Sequence, residues 1–504
     1  MKTPLRVMLW GEEIGRLSWD ERRHNSYFSY NPDFISRGLD IAPLTAPVSG
    51  RLSLMPIYGE DNPRFNKLPS FLADSLPDDW GNQLFELWRV ENRLPLSHIS
   101  PLEKLSFIGH RGMGALEFEP AIAQSAVADA IDIKSLDEIA KRIFAERENA
   151  RILPEESLTL QALLLVGTSA GGRIPKAIIA RNSETCEIRS GQIAGLVGYR
   201  YYILKFGEPA RATAELEYTY YEMARKAGIR MTECELLEVE GNRHFMTERF
   251  DRVNGEKLHT QTLAALMPDA SSYEQLIWVC RKLRLPEPEI QEVFRRMVFN
   301  WLANNTDDHD KNFSFVMDKS GRWSLSPAYD LTFIFNYGGY QGNLAHCLTV
   351  RGKTENVTRD DIIAFAADNS IRRPEAVIRK VASALSSFRT LAESNGVPQV
   401  WIGRVEARLK DNLARWNLLQ TEPATSDSDH FTSPIVPGLA NIRLEETYKG
   451  NYHLLANADD RELKYVIRKN TPDHLRISLL GIANVSVEEL RRLAEAHLVS
   501  KLTR

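Results

Sequence analysis

Residues 300–331 read NWLANNTDDHDKNFSFVMDKSGRWSLSPAYDL, and the fold turns on them. Just upstream, Ile290, Val293, Phe294, Met297, Val298, Trp301 and Leu302 fall on one stripe of an α-helix over 285–304, a pattern that demands burial. The helix stops at Asn304-Asn305. A polar loop, Thr306-Asp307-Asp308-His309-Asp310-Lys311-Asn312, then leads into the strand FSFVMD, a Ser320-Gly321 turn and the segment WSLSPAYDL. Asp307 and Asn312 stand in a D-x-x-x-x-N spacing, so a loop behind a buried helix can aim the carboxylate at an acceptor while the amide oxygen faces a metal. Asp330 lies 18 residues beyond Asn312, between Pro327 and the apolar Phe333, Ile334 and Phe335, a setting hostile to an unpaired charge.

Phosphoryl transfer from a nucleotide needs a carboxylate near the acceptor hydroxyl, oxygen ligands for magnesium, a cation on the phosphates and backbone donors over them. Asp307 supplies the first, Asn312 and Asp330 the second. Lys205, in YYILKFG, supplies the third: a lysine in an otherwise apolar strand needs an anion. Glu217 or Glu215 on the following helix can pair with it, and Glu217 is the better placed. For the fourth, the turn Gly167-Thr168-Ser169-Ala170-Gly171-Gly172-Arg173 can present successive N–H groups to phosphate oxygens, with Arg173 or Lys176 adding charge. It is not a Walker A loop, which reads GxxxxGK[ST] and opens a helix; a plain hairpin turn between two strands is the competing reading. Glu248-Arg249-Phe250-Asp251, closing the strand HFMTERF, sits where a kinase hinge offers backbone groups to adenine. His309 is a ligand-facing or orienting residue of the loop, or a solvated one.

Outward from this centre, residues 1–155 read as a small antiparallel sheet (LRVMLW, IGRLSW, YFSY) covered by helices at about 68–94 and 134–146. Asp78 or Asp79 caps the first helix, and a Gly-punctuated strand, FIGHRGMGALEFEP, lies between the two. Residues 156–255 read as a sheet lobe: an apolar strand from Leu158, the Gly-rich turn, strands KAIIA and YRYYILKF, the helix AELEYTYYEMARKAG, and a hairpin turning at Gly241-Asn242. A helical lobe fills 256–420. Residues 421–438 form a Ser/Thr/Asp/Pro-rich linker to a tail, 439–504, with strands YHLLA, LKYVIRK and LRISLLG and the helix SVEELRRLAEAHLVSKL. The fold class is α+β.

The 504 residues are 43% hydrophobic and 26% charged, which excludes wholesale disorder. Sixty-three basic against 67 acidic residues give a net charge of −4, so nothing global favours nucleic acid or an anionic membrane. No apolar run is long enough to span a bilayer, and acidic residues near the start interrupt any signal-peptide run, which predicts a soluble, cytoplasmic protein. Cys186, Cys234, Cys280 and Cys347 are too far apart for a CxxC knuckle and read as buried free thiols.

TSAGGRIPKA, LKF, TERFDR, NNTDDHDKNFSF and LSPAYDL, in this order and at these separations, resemble the HipA family of toxin serine/threonine kinases over about residues 5–420. The resemblance implies a two-lobed protein-kinase-like fold, with the tail as an extra small α+β domain, and ATP and Mg2+ as cofactors. Asp307 matches the family's catalytic aspartate, Asn312 and Asp330 its magnesium ligands, Lys205 its phosphate-contacting lysine and His309 its loop histidine. Thr168, Ser169, Gly171, Gly172, Lys205, Glu248, Phe250, Asp251, His309 and Tyr329 would surround the nucleotide. Ser169 aligns with the serine whose autophosphorylation ejects the Gly-rich loop, Thr168 being an adjacent acceptor. Family kinases phosphorylate translation components, typically aminoacyl-tRNA synthetases, and are restrained by a helix-turn-helix antitoxin, HipB-like here, that also binds operator DNA. Asp308 and Asp310 depart from the pattern and are expected to add charge near the metals. A small-molecule phosphotransferase of the kinase-like superfamily, or a nucleotide-sensing pseudokinase, are the alternatives.

Overall fold

The computed structural model describes residues 4–50, 54–93, 100–122, 131–146, 157–167, 174–193, 195–334 and 345–419, and beyond these the backbone of four strands between 439 and 479. Contacts divide the chain into two units, Met1–Leu419 and Gln420–Arg504.

The first unit opens with a five-stranded antiparallel sheet in spatial order Ile57–Tyr58, Asn25–Tyr30, Glu12–Asp20, Leu5–Leu9, Leu116–Glu119. Alternation decides its buried face: in Asn25–Tyr30, Ser26, Phe28 and Tyr30 are buried while their neighbours are not. Gly11, at φ +83°, makes the first hairpin possible. The stretch expected as one Gly-punctuated strand is mostly something else. Pro101–Ile108 is a helix, started by a Ser100/Glu103 capping box and ended by Gly109 at φ +55°, and only Leu116–Glu119 pairs in the sheet. Asp78 does hold the N-cap position of the helix Asp79–Glu91, but its side chain makes no capping bond.

A second antiparallel sheet has the order Ile188–Ser190, Lys176–Asn182, Tyr199–Lys205, Asn242–Glu248, Cys234–Val239. The helix Thr213–Ala227 packs on it and ends at Gly228, φ +85°. The apolar run from Leu158 is not a strand: Ser157–Gly167 is a helix burying Leu160, Leu163, Leu164 and Val166. A short apolar run carries both periodicities, and packing decided for the i, i+3, i+4 spacing. A helix therefore precedes the Gly-rich segment, and the strand after it begins at Lys176. Thr168, Ser169, Gly171, Gly172 and Arg173 themselves lie outside the described residues.

The helical lobe is built around Glu287–Ala303, whose anticipated stripe is buried throughout and which ends at Asn304 in the left-handed conformation, φ +56°. Its other faces are buried too. Glu292 and Arg296 satisfy each other at 3.1 Å, and Arg296 also donates to the Ser326 carbonyl at 2.7 Å. The lobe closes with the helix Gln399–Arg415. A three-stranded sheet, His259–Thr262, Ser314–Met317 and Trp323–Leu325, lies beside the helix end.

In the second unit the strands Leu439–Thr447, Asn451–Ala458, Arg461–Thr471 and His474–Leu479 form a consecutive antiparallel sheet. The expected linker and tail helix lie outside the described residues. All four cysteines are free thiols, but only Cys234 and Cys280 are buried, whereas Cys186 and Cys347 are exposed. No described helix is long and apolar enough to cross a membrane.

Candidate functional site

Lys205 is the last residue of its strand, in register with Lys176 on one side and Phe245 on the other. Its Nζ donates to Glu217 Oε1 at 2.5 Å and to Asp330 Oδ1. Of the two helix glutamates considered, Glu217 is thus the partner. The lysine joins a carboxylate of the sheet lobe's helix to one from the helical lobe. Burial works against the lysine's charge, yet Asp330 and Glu217 outweigh it and hold Lys205 above its ordinary value. Burial also pushes Asp330 up, but Lys205 and Lys176 overcome that and hold its carboxyl well below the usual range. Glu217 is the member that burial wins, staying above a normal glutamate. The Asp330 side chain is 38% exposed against 9% for Glu217, so Asp330 is the carboxylate still open to a ligand. Lys176, buried beside this group, is lowered to about 8, by burial first and then by the charge of Lys205.

The chain brings Asp330 here through a tight hairpin. Ser314–Met317 pairs with Trp323–Leu325, Ser326 N–H donates to the Ser314 carbonyl at 2.9 Å, and the Tyr329 hydroxyl donates to the Lys311 carbonyl at 2.7 Å. Asp330 then sits at φ +57°, in the left-handed region where an aspartate is tolerated at modest cost. His309 lies close enough to help stabilise its charge.

The loop is held residue by residue. Asp307 is exposed at the surface, and its carbonyl accepts from Asn312 Nδ2 at 2.8 Å. His309 caps the short 3-10 turn Asp310–Asn312, its Nδ1 accepting from Lys311 N–H at 3.2 Å. The neighbouring acids are both engaged inside the protein. Asp308 is buried against Tyr273, His346 and the Cys347 amide, and Asp310 is held by both Arg64 terminal nitrogens at 2.8 Å. Lys311 reaches Asp78 at 2.5 Å, which is where the expected capping carboxylate goes. Arg64 and Asp78, both from the first subdomain, clasp consecutive loop residues, and no local pattern around either residue signals it.

Asn312 and Asp330 offer hard oxygen donors, and the Asn312 nitrogen is already spent on Asp307, which leaves its oxygen as the acceptor. Among the described residues no group of three His, Cys, Asp or Glu side chains could hold a metal by itself. Two oxygen donors are the type and number that magnesium takes from a protein alongside phosphates.

At the hinge, Glu248 and Arg249 N–H groups are bonded internally, to the Glu233 and Tyr201 carbonyls at 2.9 and 2.8 Å. Phe250 stacks on Tyr329 with ring centroids 5.6 Å apart, which ties the hinge to the Asp330 segment. Asp251, expected beside the nucleotide, is turned inward. Its side chain is 0% exposed and engaged by Arg249 at 2.7 and 2.9 Å, by Arg252 at 2.6 Å and by Gly114 N–H at 2.7 Å. It anchors the first subdomain to the hinge and leaves no side-chain surface exposed.

A sheet lobe carrying a buried lysine–glutamate pair, set on a helical lobe that supplies an aspartate to the same lysine, defines a two-lobed α+β fold of the protein-kinase-like type. The HipA N-terminal domain family matches residues 5–119, and the HipA-like C-terminal domain family matches residues 168–389. The chain belongs to the HipA family. It is similar to the serine/threonine-protein kinase toxin HipA of Shewanella oneidensis, 24% identical over an alignment of 379 residues that covers 70% of this chain and 80% of that protein. Among solved structures it resembles the complex of Shewanella oneidensis MR-1 HipA, HipB and operator DNA, with a TM-score of 0.59 and 18% identity over 82% of this chain and 97% of that one.

Proposed function

We propose that this chain is an ATP- and Mg2+-dependent serine/threonine protein kinase, the cytoplasmic toxin of a toxin–antitoxin pair. The observation that carries the reading is Lys205 bridging Glu217 and Asp330, since a buried ammonium held by two carboxylates of different lobes is what a phosphate-binding lysine needs before a nucleotide arrives. Magnesium, held by Asn312 and Asp330, would neutralise phosphate charge. Lys205 and Lys176 would face the phosphates from the sheet, and the segment holding Thr168, Ser169, Gly171 and Gly172 would cover them. Phe250, Tyr329 and the Glu248 segment would line the base. Asp307 would accept the proton of the acceptor hydroxyl as its oxygen bonds to the γ-phosphorus and the β–γ bridge breaks, releasing ADP.

The similarity to a HipA that is crystallised with HipB and operator DNA supports a HipB-like helix-turn-helix partner, with DNA contacted through that partner. A translation component such as an aminoacyl-tRNA synthetase is the proposed protein substrate, and Ser169 the autophosphorylation site. Purified chain incubated with γ-labelled ATP tests this. Label on the Ser169 peptide, abolished by Asp307→Asn, is expected. Transfer only to a small acceptor would reassign the chain as a small-molecule phosphotransferase, and nucleotide binding without transfer would reassign it as a sensor.

A further inference from the structure

Asp308, next to the exposed Asp307, is turned into the protein with its side chain 0% exposed. Three donors reach its carboxylate. The Tyr273 hydroxyl donates to Oδ2 at 2.6 Å, His346 Nδ1 lies 2.9 Å from the same oxygen, and Cys347 N–H donates to Oδ1 at 2.8 Å. The two side-chain donors are themselves held. Asn300 Nδ2 donates to the Tyr273 oxygen at 3.0 Å, and Asn305 Nδ2 to Asn300 Oδ1 at 3.0 Å, which brings the chain of bonds back to the start of the loop. The His346 ring stacks on Trp301 with centroids 3.8 Å apart, and Tyr273 N–H donates to the Thr349 carbonyl at 3.0 Å.

We infer that Asp308 is a positioning residue for Asp307, clamping the segment 345–350 to the catalytic loop through Tyr273 and His346. The inference rests on the reading of Asp307 as the proton acceptor. Asp307 has no burial to direct it. The peptide plane between residues 307 and 308 is fixed at both ends instead: Asn312 holds the Asp307 carbonyl at 2.8 Å, and the three donors hold the Asp308 side chain. A buried carboxylate stripped of donors is costly enough that the loop would rearrange to recover them. Displacing a reacting group by about 1 Å costs roughly 100-fold in rate.

The test compares single-turnover transfer from γ-labelled ATP to the chain itself, with MgADP binding measured by calorimetry alongside. Asp308→Asn should slow transfer roughly 100-fold, and Tyr273→Phe and His346→Leu roughly tenfold each, the worth of one hydrogen bond. His346→Asn, whose Nδ2 can stand in for Nδ1, should return to within about threefold of the native rate. ADP affinity should stay within about threefold throughout, because the clamp acts on the acceptor side. Native-like transfer by Asp308→Asn, or affinity falling in step with rate, overturns the inference. Tyr273→Phe, which removes one oxygen, carries the test if Asp308→Asn does not fold. If the native chain and Asp307→Asn transfer alike, the reading of Asp307 fails and hydrogen exchange judges the clamp alone. Tyr273→Phe should then speed exchange in 306–312 and 345–350 together, and unchanged exchange in 306–312 overturns the clamp.

Discussion

Lys176 stands opposite Lys205 on the neighbouring strand, and its burial, with the repulsion from Lys205 added to it, has a measurable cost. For Lys176 the charged form is disfavoured by the fold, so the cost to stability is fully present below about 8 and fades as pH rises toward the ordinary lysine value of 10.5. At 1.36 kcal/mol per unit that cost is on the order of 3 kcal/mol. Lys176→Met should therefore raise the melting temperature at pH 7, by calorimetry, with the gain gone near pH 10, and should weaken MgADP binding. In the native chain, binding at pH 9 should take up a proton as phosphate restores the Lys176 charge, read from calorimetry in buffers of different ionisation enthalpy; Lys176→Met should abolish the uptake. Asp330 has the opposite sign. Its stabilisation is present above the ordinary carboxylate range and is lost only as pH falls through its lower folded value, so the pair with Lys205 persists across neutral pH. Lys205 and Asp330 were legible in the sequence because a charge in apolar surroundings must have a partner. The fates of Asp308 and Asp310 were not, because their partners His346 and Arg64 are far away in sequence and nothing local distinguishes a buried, satisfied aspartate from an exposed one; Asp251 has Arg249 and Arg252 beside it in TERFDR, but its burial against Gly114 is just as distant.

At the scale of elements, the buried helix Glu287–Ala303 and its Asn304 stop were readable from spacing alone, and so was the hairpin that returns Asp330 to the loop. The run from Leu158 was not, since a helix buried along most of its length and a central strand are both continuous apolar text. The clasp of the first subdomain on the catalytic loop has an energetic consequence. Arg64 is 34% exposed but Asp310 only 8%, so Arg64→Ala strands a buried carboxylate and should cost about 1–3 kcal/mol. The double variant Arg64→Ala, Asp310→Asn should recover more than half of that loss in denaturant melts. A purely additive result would mean that the pair does not hold the loop.

At the scale of the whole molecule, the three large apolar clusters among the described residues are all built from positions between 5 and 418. A chain ending at Leu419 should therefore melt as the corresponding transition of the full chain does, within about two degrees, and should bind MgADP equally well. A drop of ten degrees would show that the tail completes the first unit's core. The division near residue 420 was visible in composition, where apolar residues thin out into a Ser/Thr/Asp/Pro tract. What the tail does was not, because its charges nearly balance and no reactive constellation stands out in it. The central claim is that the residues joined through Lys205 form a nucleotide–magnesium site. A crystal structure of the chain with magnesium and a non-hydrolysable ATP analogue tests it most directly. The account predicts Asn312 and Asp330 oxygens about 2.1 Å from the metal, Lys205 on the phosphates and Asp307 facing the γ-phosphate. A nucleotide bound elsewhere, or a metal that Asp330 does not touch, would contradict it.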